Sequence, residues 1–152
     1  MNEVGSQITP TTFRDVLSIS EDEFEEMGRV GAMFFEQGNT HKALSIFEGL
    51  AELEPESADA HAALGCVLAM NQQDREALDH LNTAIELDPT QIAPYVSIAE
   101  IHLRRLELEE AIAALGKAIE LDPEQKDRGA NRARAIVLGI ERAIRFNSRF
   151  DS

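Results

Sequence analysis

Apolar residues fall three and four apart along most of this chain, and the segments that show this spacing recur at a fixed interval. Met27, Val30, Gly31 and Phe34 lie on one face of a predicted helix. The phrase AIELDP appears at 84–89 and again at 118–123, and LAELEP at 50–55 is a looser copy 34 positions earlier. Rows of 34 starting at Phe24, Ala58 and Ile92 align without a gap. Column 7 reads Val30, Leu64 and Ile98, and column 8 reads Gly31, Gly65 and Ala99. Column 20 is Ala43, Ala77 and Ala111, and column 24 is Phe47, Leu81 and Leu115. Column 27 is Leu50, Ala84 and Ala118, and column 32 is Pro55, Pro89 and Pro123. Each row predicts two helices, with the proline just beyond the second, where its missing N–H does least damage. The small residues of columns 8 and 20 are expected to face each other and let the two helices approach.

A period of 34 with small residues at columns 8 and 20 and proline at 32 resembles the tetratricopeptide repeat, a helix–turn–helix unit. The fold expected is all-α, a solenoid of three such repeats with a short N-terminal helix and a C-terminal capping helix. The units are 24–57, 58–91 and 92–125, preceded by a segment 1–23 and followed by a helix and tail over 126–152. Ser20 and Glu23 stand at capping-box spacing, so the first repeat helix is predicted to begin at Glu21. Ahead of it, TTFRDVLSI predicts a short helix exposing Phe13, Val16, Leu17 and Ile19. After Pro123, the stretch ANRARAIVLGIERAIRF places Ala133, Ile136, Val137, Ile140 and Ile144 on one face, suited to covering the open flank of the last unit.

Charge divides the chain. Residues 1–123 hold 7 Lys+Arg against 24 Asp+Glu, a balance of −17, whereas 124–152 hold 7 against 4, a balance of +3. The total of −14 argues against general nucleic-acid binding. The arginine-rich face of the last helix reads either as a solvated face in the field of an acidic body or as a site for an anionic partner. Cys66 is the only cysteine, which suits a reducing, cytoplasmic setting and leaves no cysteine-based metal site. MNEVGSQITP is polar, so no signal peptide is expected, and no apolar run predicts a membrane span.

No catalytic constellation stands out, and the expectation is a non-enzyme with no cofactor and no metal ligand. His41, His61, His80 and His102 fall at columns 18, 4, 23 and 11 and are not expected to converge; His61 and His102 occupy columns normally filled by core residues. In this repeat the first helices line a concave face through columns 2, 5, 9, 12 and 13. Those positions are Glu25, Gly28, Ala32, Phe35 and Glu36 in the first unit. They are Asp59, Ala62, Cys66, Ala69 and Met70 in the second, and Ala93, Val96, Glu100, Leu103 and Arg104 in the third. The wall is small and apolar with acidic points near its edges. It predicts a dry trough for an extended or helical apolar segment of a client polypeptide, neutral or basic in charge. The competing occupants are the chain's own N-terminal helix or a second subunit. Repeat domains that grip the acidic tails of heat-shock chaperones use a lysine and asparagine clamp. Here Gly28, Ala32, Ala63, Ala93 and Ser97 stand at those columns, so an acidic tail is not the expected ligand.

A narrower resemblance rests on residues 12–55. The run FRDVLSISEDEFEEMGRVGAMFFEQGNTHKALSIFEGLAELEP is similar to the junction and first unit of the bacterial type III secretion chaperones for translocator proteins. The resemblance implies a cytosolic chaperone that keeps a pore-forming translocator soluble before export. A proline- and leucine-containing stretch of the client would lie in the trough, and the N-terminal helices would pair two copies. The chain departs from that family at Gly28 and Ala32, where members often carry aromatics; only Phe35 keeps one. The alternative reading is a scaffold or adaptor subunit of a larger assembly, working through its convex face or its arginine-rich last helix.

Overall fold

The computed structural model describes residues 12–148, and among them every regular element is helical. The order is α1 (Phe13–Val16), α2 (Glu21–Glu36), α3 (Thr40–Leu53), α4 (Ala58–Met70), α5 (Asp74–Leu87), α6 (Ile92–Arg104), α7 (Leu108–Glu120) and α8 (Arg128–Asn147). Helices α2, α4, α6 and α8 each touch the next in that series. Helices α3, α5 and α7 each pack between the preceding and following members of it.

Local chemistry sets the helix ends. Ser20 Oγ accepts from Glu23 N, and the Glu23 carboxylate accepts from Ser20 N, the reciprocal box expected from the spacing. Thr12 and Asp15 repeat the device at α1. Asn39, Ser57 and Asp127 cap α3, α4 and α8 through single side-chain bonds. Pro94 lies in the first turn of α6, where no intrahelical donor is lost. The turn inside each unit is the same three times over. Gly38, Gln72 and Leu106, all at column 15, have φ of 75°, 61° and 62°. The next residue in each case donates back to a carbonyl near the helix end: Asn39 N to Phe34 O, Gln73 N to Leu68 O, Glu107 N to His102 O. This is the left-handed close of a helix that glycine adopts most readily.

In the first two units the small residue of column 8 lies against the large side chain of column 24. A methyl at Gly31 would come within 2.8 Å of the Phe47 ring, and one at Gly65 within 2.6 Å of Leu81. Glycine is therefore required at both positions for the helices of a unit to meet around a large side chain. Ala43, Ala77 and Ala111 are fully buried.

The core has two parts. One runs through the first two units and takes in Ile98 and Ile101 of α6; the other joins Val96, Ala99, Leu115 and Ala118 to Ala133 of α8. Helix α8 thus stands where the first helix of a fourth unit would. Ile136, Val137 and Ile140 pack on this second cluster as the stripe predicts, but Ile144 is 54% exposed. The helix runs past the flank it covers, and everything from Glu141 to Ser148 is exposed. Asp122 fastens α8 at its start. Its carboxylate accepts from Lys126 N, Asp127 N and Arg134 Nη1 at 3.0, 3.2 and 2.9 Å. Arg134 Nη2 also donates to the Asp122 carbonyl. That arginine holds the Asp122 carboxyl below the usual carboxylate range.

Candidate functional site

The concave columns do not form one continuous wall. Glu25, Gly28 and Ala32 of α2 and Asp59 of α4 share a half-open cleft of about 490 Å³. Its floor comes from residues that concave columns alone do not select. Phe47 and Leu50 rise from α3 and Phe24 from the start of α2, while Ala60 and Ala63 come from α4. Glu21, Arg29, Glu54 and Ser57 complete the rim. The missed signal is in the first unit's columns 24 and 27, where the large buried side chains of Phe47 and Leu50 pass beneath the small residues of α2 and line the cleft from below.

The rim is acidic and partly tied. Arg14 of α1 pairs with Glu21 at 2.6 Å and Glu54 at 3.1 Å, and its guanidinium lies 5.4 Å from the centre of the Phe24 ring. Arg29 pairs with Glu26 at 2.7 Å and Glu25 at 3.5 Å. Asp59 accepts a hydrogen bond from Gln91 Nε2 and has no cation beside it among the described residues. Of the four carboxylates that line the cleft, Glu21 and Glu54 are paired with Arg14 and Glu25 with Arg29, which leaves Asp59 without an ion pair among the described residues.

The middle of the expected wall is closed. Ala62 is buried, and Ala69 is only 7% exposed within the main core. Phe35 and Cys66 are half-buried against the same core. Cys66 Sγ lies 3.2 Å from Ser97 Oγ, in hydrogen-bond contact between α4 and α6. Burial pushes the thiol's pKa up, so it stays protonated and is a poor nucleophile. Met70 is 58% exposed, and Leu103 is half-buried.

In the third unit the predicted residues have other partners. Val96 is buried in the cluster that α8 completes. Glu100 pairs with Arg132 of α8 at 2.8 Å. Arg104 reaches back to the carbonyl of Ala69 at 3.1 Å and to the Asp74 carboxylate, stapling the third unit to the second. The open surface is concentrated at the first two units, and α8 occupies the far end.

Two histidines do converge, contrary to the column reading. His61 Nδ1 and His80 Nδ1 are 2.9 Å apart, with the rings stacked at 5.2 Å between centroids. Pro55 O lies 2.9 Å from His61 Nε2; a carbonyl only accepts, so His61 Nε2 carries the proton. In neutral His61 the Nδ1 is then the acceptor and His80 Nδ1–H the donor. Burial and then the neighbouring His61 push the His80 pKa down. The pair ties α4 to α5 and to the turn at Pro55. His102 Nδ1 lies 2.6 Å from Glu107 Oε2, joining the end of α6 to the start of α7. Among the described residues no three His, Cys, Asp or Glu side chains gather as a metal site, and no helix is long and apolar enough to cross a membrane.

Comparison with known proteins adds a family and a set of folds. No curated protein sequence matches this chain significantly. Among solved structures, the type III secretion translocator chaperone SycD of Yersinia enterocolitica superimposes with a TM-score of 0.75 at 23% identity. That match covers 84% of this chain and 97% of SycD. PcrH in complex with the chaperone binding region of PopD gives 0.73 at 24% identity, over 82% of this chain and 96% of PcrH. The yeast Sti1 TPR2AB domain in its pHSP90 complex gives 0.67 at 24%, over 81% of this chain and 47% of that one. At these identities the likeness is one of fold. Two family models described as tetratricopeptide repeat match residues 34–100 and 93–125. Matched in succession over more than half its length, and built of paired helices at the period its sequence sets, this chain belongs to the tetratricopeptide-repeat family.

Proposed function

We propose that the protein is a chaperone of a bacterial type III secretion system, acting in the cytoplasm. It keeps an apolar segment of a translocator client masked in the concave cleft until export. The observation that carries this reading is the open, apolar-floored cleft between α2, α3 and α4, in a fold shared over most of the chain with SycD and PcrH. PcrH has been solved with the chaperone binding regions of PopD and PopB. The residues assigned to the client are Glu25, Gly28, Ala32 and Asp59, with Phe35 and Met70 beyond them. Ala62, Cys66 and Ala69 support the wall from behind rather than meeting the client.

A heat-shock tail is a poor fit although Sti1 shares the fold. The cleft carries four carboxylates where a terminal carboxylate would have to sit. Exposed Phe13 and Val16 on α1, with exposed Leu17 just beyond it, support pairing of two copies through the N-terminal helices; SycD itself has been solved as an alternative dimer. The scaffold reading is favoured by one observation. Arg142 and Arg145 stand on the protruding end of α8 and make no ion pair among the described residues.

Affinity capture from the native cell, followed by mass spectrometry, separates the two readings. Ala69 is unsuitable for placing a charge, because its burial would damage the fold along with the groove. Ala32 is exposed and lines the cleft. The Ala32→Glu variant is expected to melt like the parent and to lose a secreted translocator that the parent captures, because a client would have to desolvate the carboxylate. Glu110→Lys, on the exposed face of α7, is expected to retain it. A client kept by a folded Ala32→Glu variant and lost on charge reversal at Arg142 and Arg145 would establish the scaffold reading instead.

A further inference from the structure

Gly28 is a different glycine from Gly31 and Gly65. It lies inside α2, away from both ends, with an ordinary right-handed backbone. A methyl built there meets only Leu50 Cδ1, at 3.9 Å, an ordinary contact. Glycine is among the weakest helix formers, so neither packing nor conformation calls for it here. What its missing side chain does is deepen the cleft between α2 and α4.

We infer that Gly28 is a specificity determinant of this cleft. It makes room for one bulky apolar side chain, aromatic in size, from a polypeptide segment that carries Lys or Arg beside that anchor. The inference rests on the groove being the client site, and it names the client's chemistry there. The space is adequate: about 490 Å³ over a floor of Phe24, Phe47 and Leu50 is within the range of sites that enclose a ring and its flanking backbone. The rim supplies the charge preference. Among the described residues Asp59 has no cation beside it, and Glu21, Glu25 and Glu54 share only Arg14 and Arg29, so a flanking cation gains and a flanking carboxylate is repelled.

The probes are the blocked tripeptides Lys-Phe-Lys, Glu-Phe-Glu and Lys-Ala-Lys, titrated into the full chain and followed by amide NMR. Single anchors bind weakly, so the titration runs to about 10 mM. Lys-Phe-Lys is expected to shift amides around Gly28 in α2 and around Asp59 in α4. The other two are expected to bind at least about tenfold more weakly, losing the charge match in one case and the anchor in the other. Gly28→Leu fills the cleft and is expected to abolish the shifts while melting at or above the parent temperature. Gly28→Ala is expected to keep binding and to melt about 2–4 °C higher, from helix propensity alone.

Equal binding of Glu-Phe-Glu, unchanged binding in a folded Gly28→Leu variant, or no shifts at the cleft would each overturn the inference. The broader reading is decided separately. A captured translocator that Ala32→Glu loses keeps the groove as the client site even where the tripeptides fail, and its retention by Ala32→Glu removes the groove whatever the tripeptides do.

Discussion

The turn at column 15 allows one backbone conformation to be tested with two different residues in one molecule. Gly38 and Leu106 share a left-handed φ, 75° and 62°, and the same pair of closing hydrogen bonds. Neither has side-chain contacts to confuse the result: a methyl at Gly38 would meet nothing within 4 Å, and Leu106 is 90% exposed. A residue with a Cβ sits in this region at a cost of about 1–2 kcal/mol. Glycine avoids that cost but gives the unfolded chain extra freedom worth about 0.5–1 kcal/mol. Leu106→Gly should therefore stabilise the protein by about 0.5–1 kcal/mol, and Gly38→Ala should destabilise it by a similar amount. For a chain of this size each kcal/mol moves Tm by about 2–4 °C, so the two variants should depart from the parent by a few degrees in opposite directions. Urea unfolding with an unchanged m-value would confirm that the effect is on stability and not on the compactness of the unfolded state. Shifts of the same sign in both variants would refute the argument, because the two positions would not then share a conformational cost.

Three further outcomes are expected. Ala77 is fully buried, so Ala77→Phe should cost about 1–3 kcal/mol or more, whereas exposed Glu109→Ala should stay within about 0.5 kcal/mol by chemical unfolding. Because the His80 pKa is lowered in the fold, its contribution is complete above the ordinary histidine range and is lost as pH falls through that range; the drop in Tm between pH 7.5 and 5.5 should be smaller in His80→Gln than in the parent. The Asp122 carboxyl is lowered too, chiefly by Arg134, so that contribution is present above the ordinary carboxylate range and lost on acidification below it. Arg134→Gln should flatten the acid limb of a Tm-against-pH curve without altering its neutral limb in shape.

Much of the fold was legible because its causes are periodic or local. The 34-residue period marks the paired helices, and the Ser20–Glu23 box places the start of α2 at Glu21, as observed. What was not legible depends on how helices cross. Residues 19 positions apart on neighbouring helices bring His61 against His80, and no spacing rule within a single helix points to that pair. The same crossing turns column 8 toward column 24 and sends Phe47 and Leu50 to the floor of the cleft. The third unit's partners were not legible for another reason. The stripe on α8 identifies it as a cover, and its arginine-rich face reads either as a solvated face in the field of the acidic body or as a site for an anionic partner. In the structure Arg134 turns in to Asp122, Arg132 pairs with Glu100 while staying 67% exposed, and Val96 disappears beneath the helix. The left-handed turns carry a glycine in one unit of three, so sequence marks only the first of them.

The position of α8 also governs how copies of the protein can meet. A repeat array presents, at its last unit, the same kind of apolar flank that each unit uses to receive the next, and an uncovered flank invites end-to-end growth into filaments. Here Val96, Ala99, Leu115 and Ala118 are sealed under Ala133, with Ile136, Val137 and Ile140 beside it, and Asp122 and Glu100 are each held by an arginine of the same helix. A neighbouring molecule arriving at that flank therefore does not meet the apolar face on which a further repeat would stack.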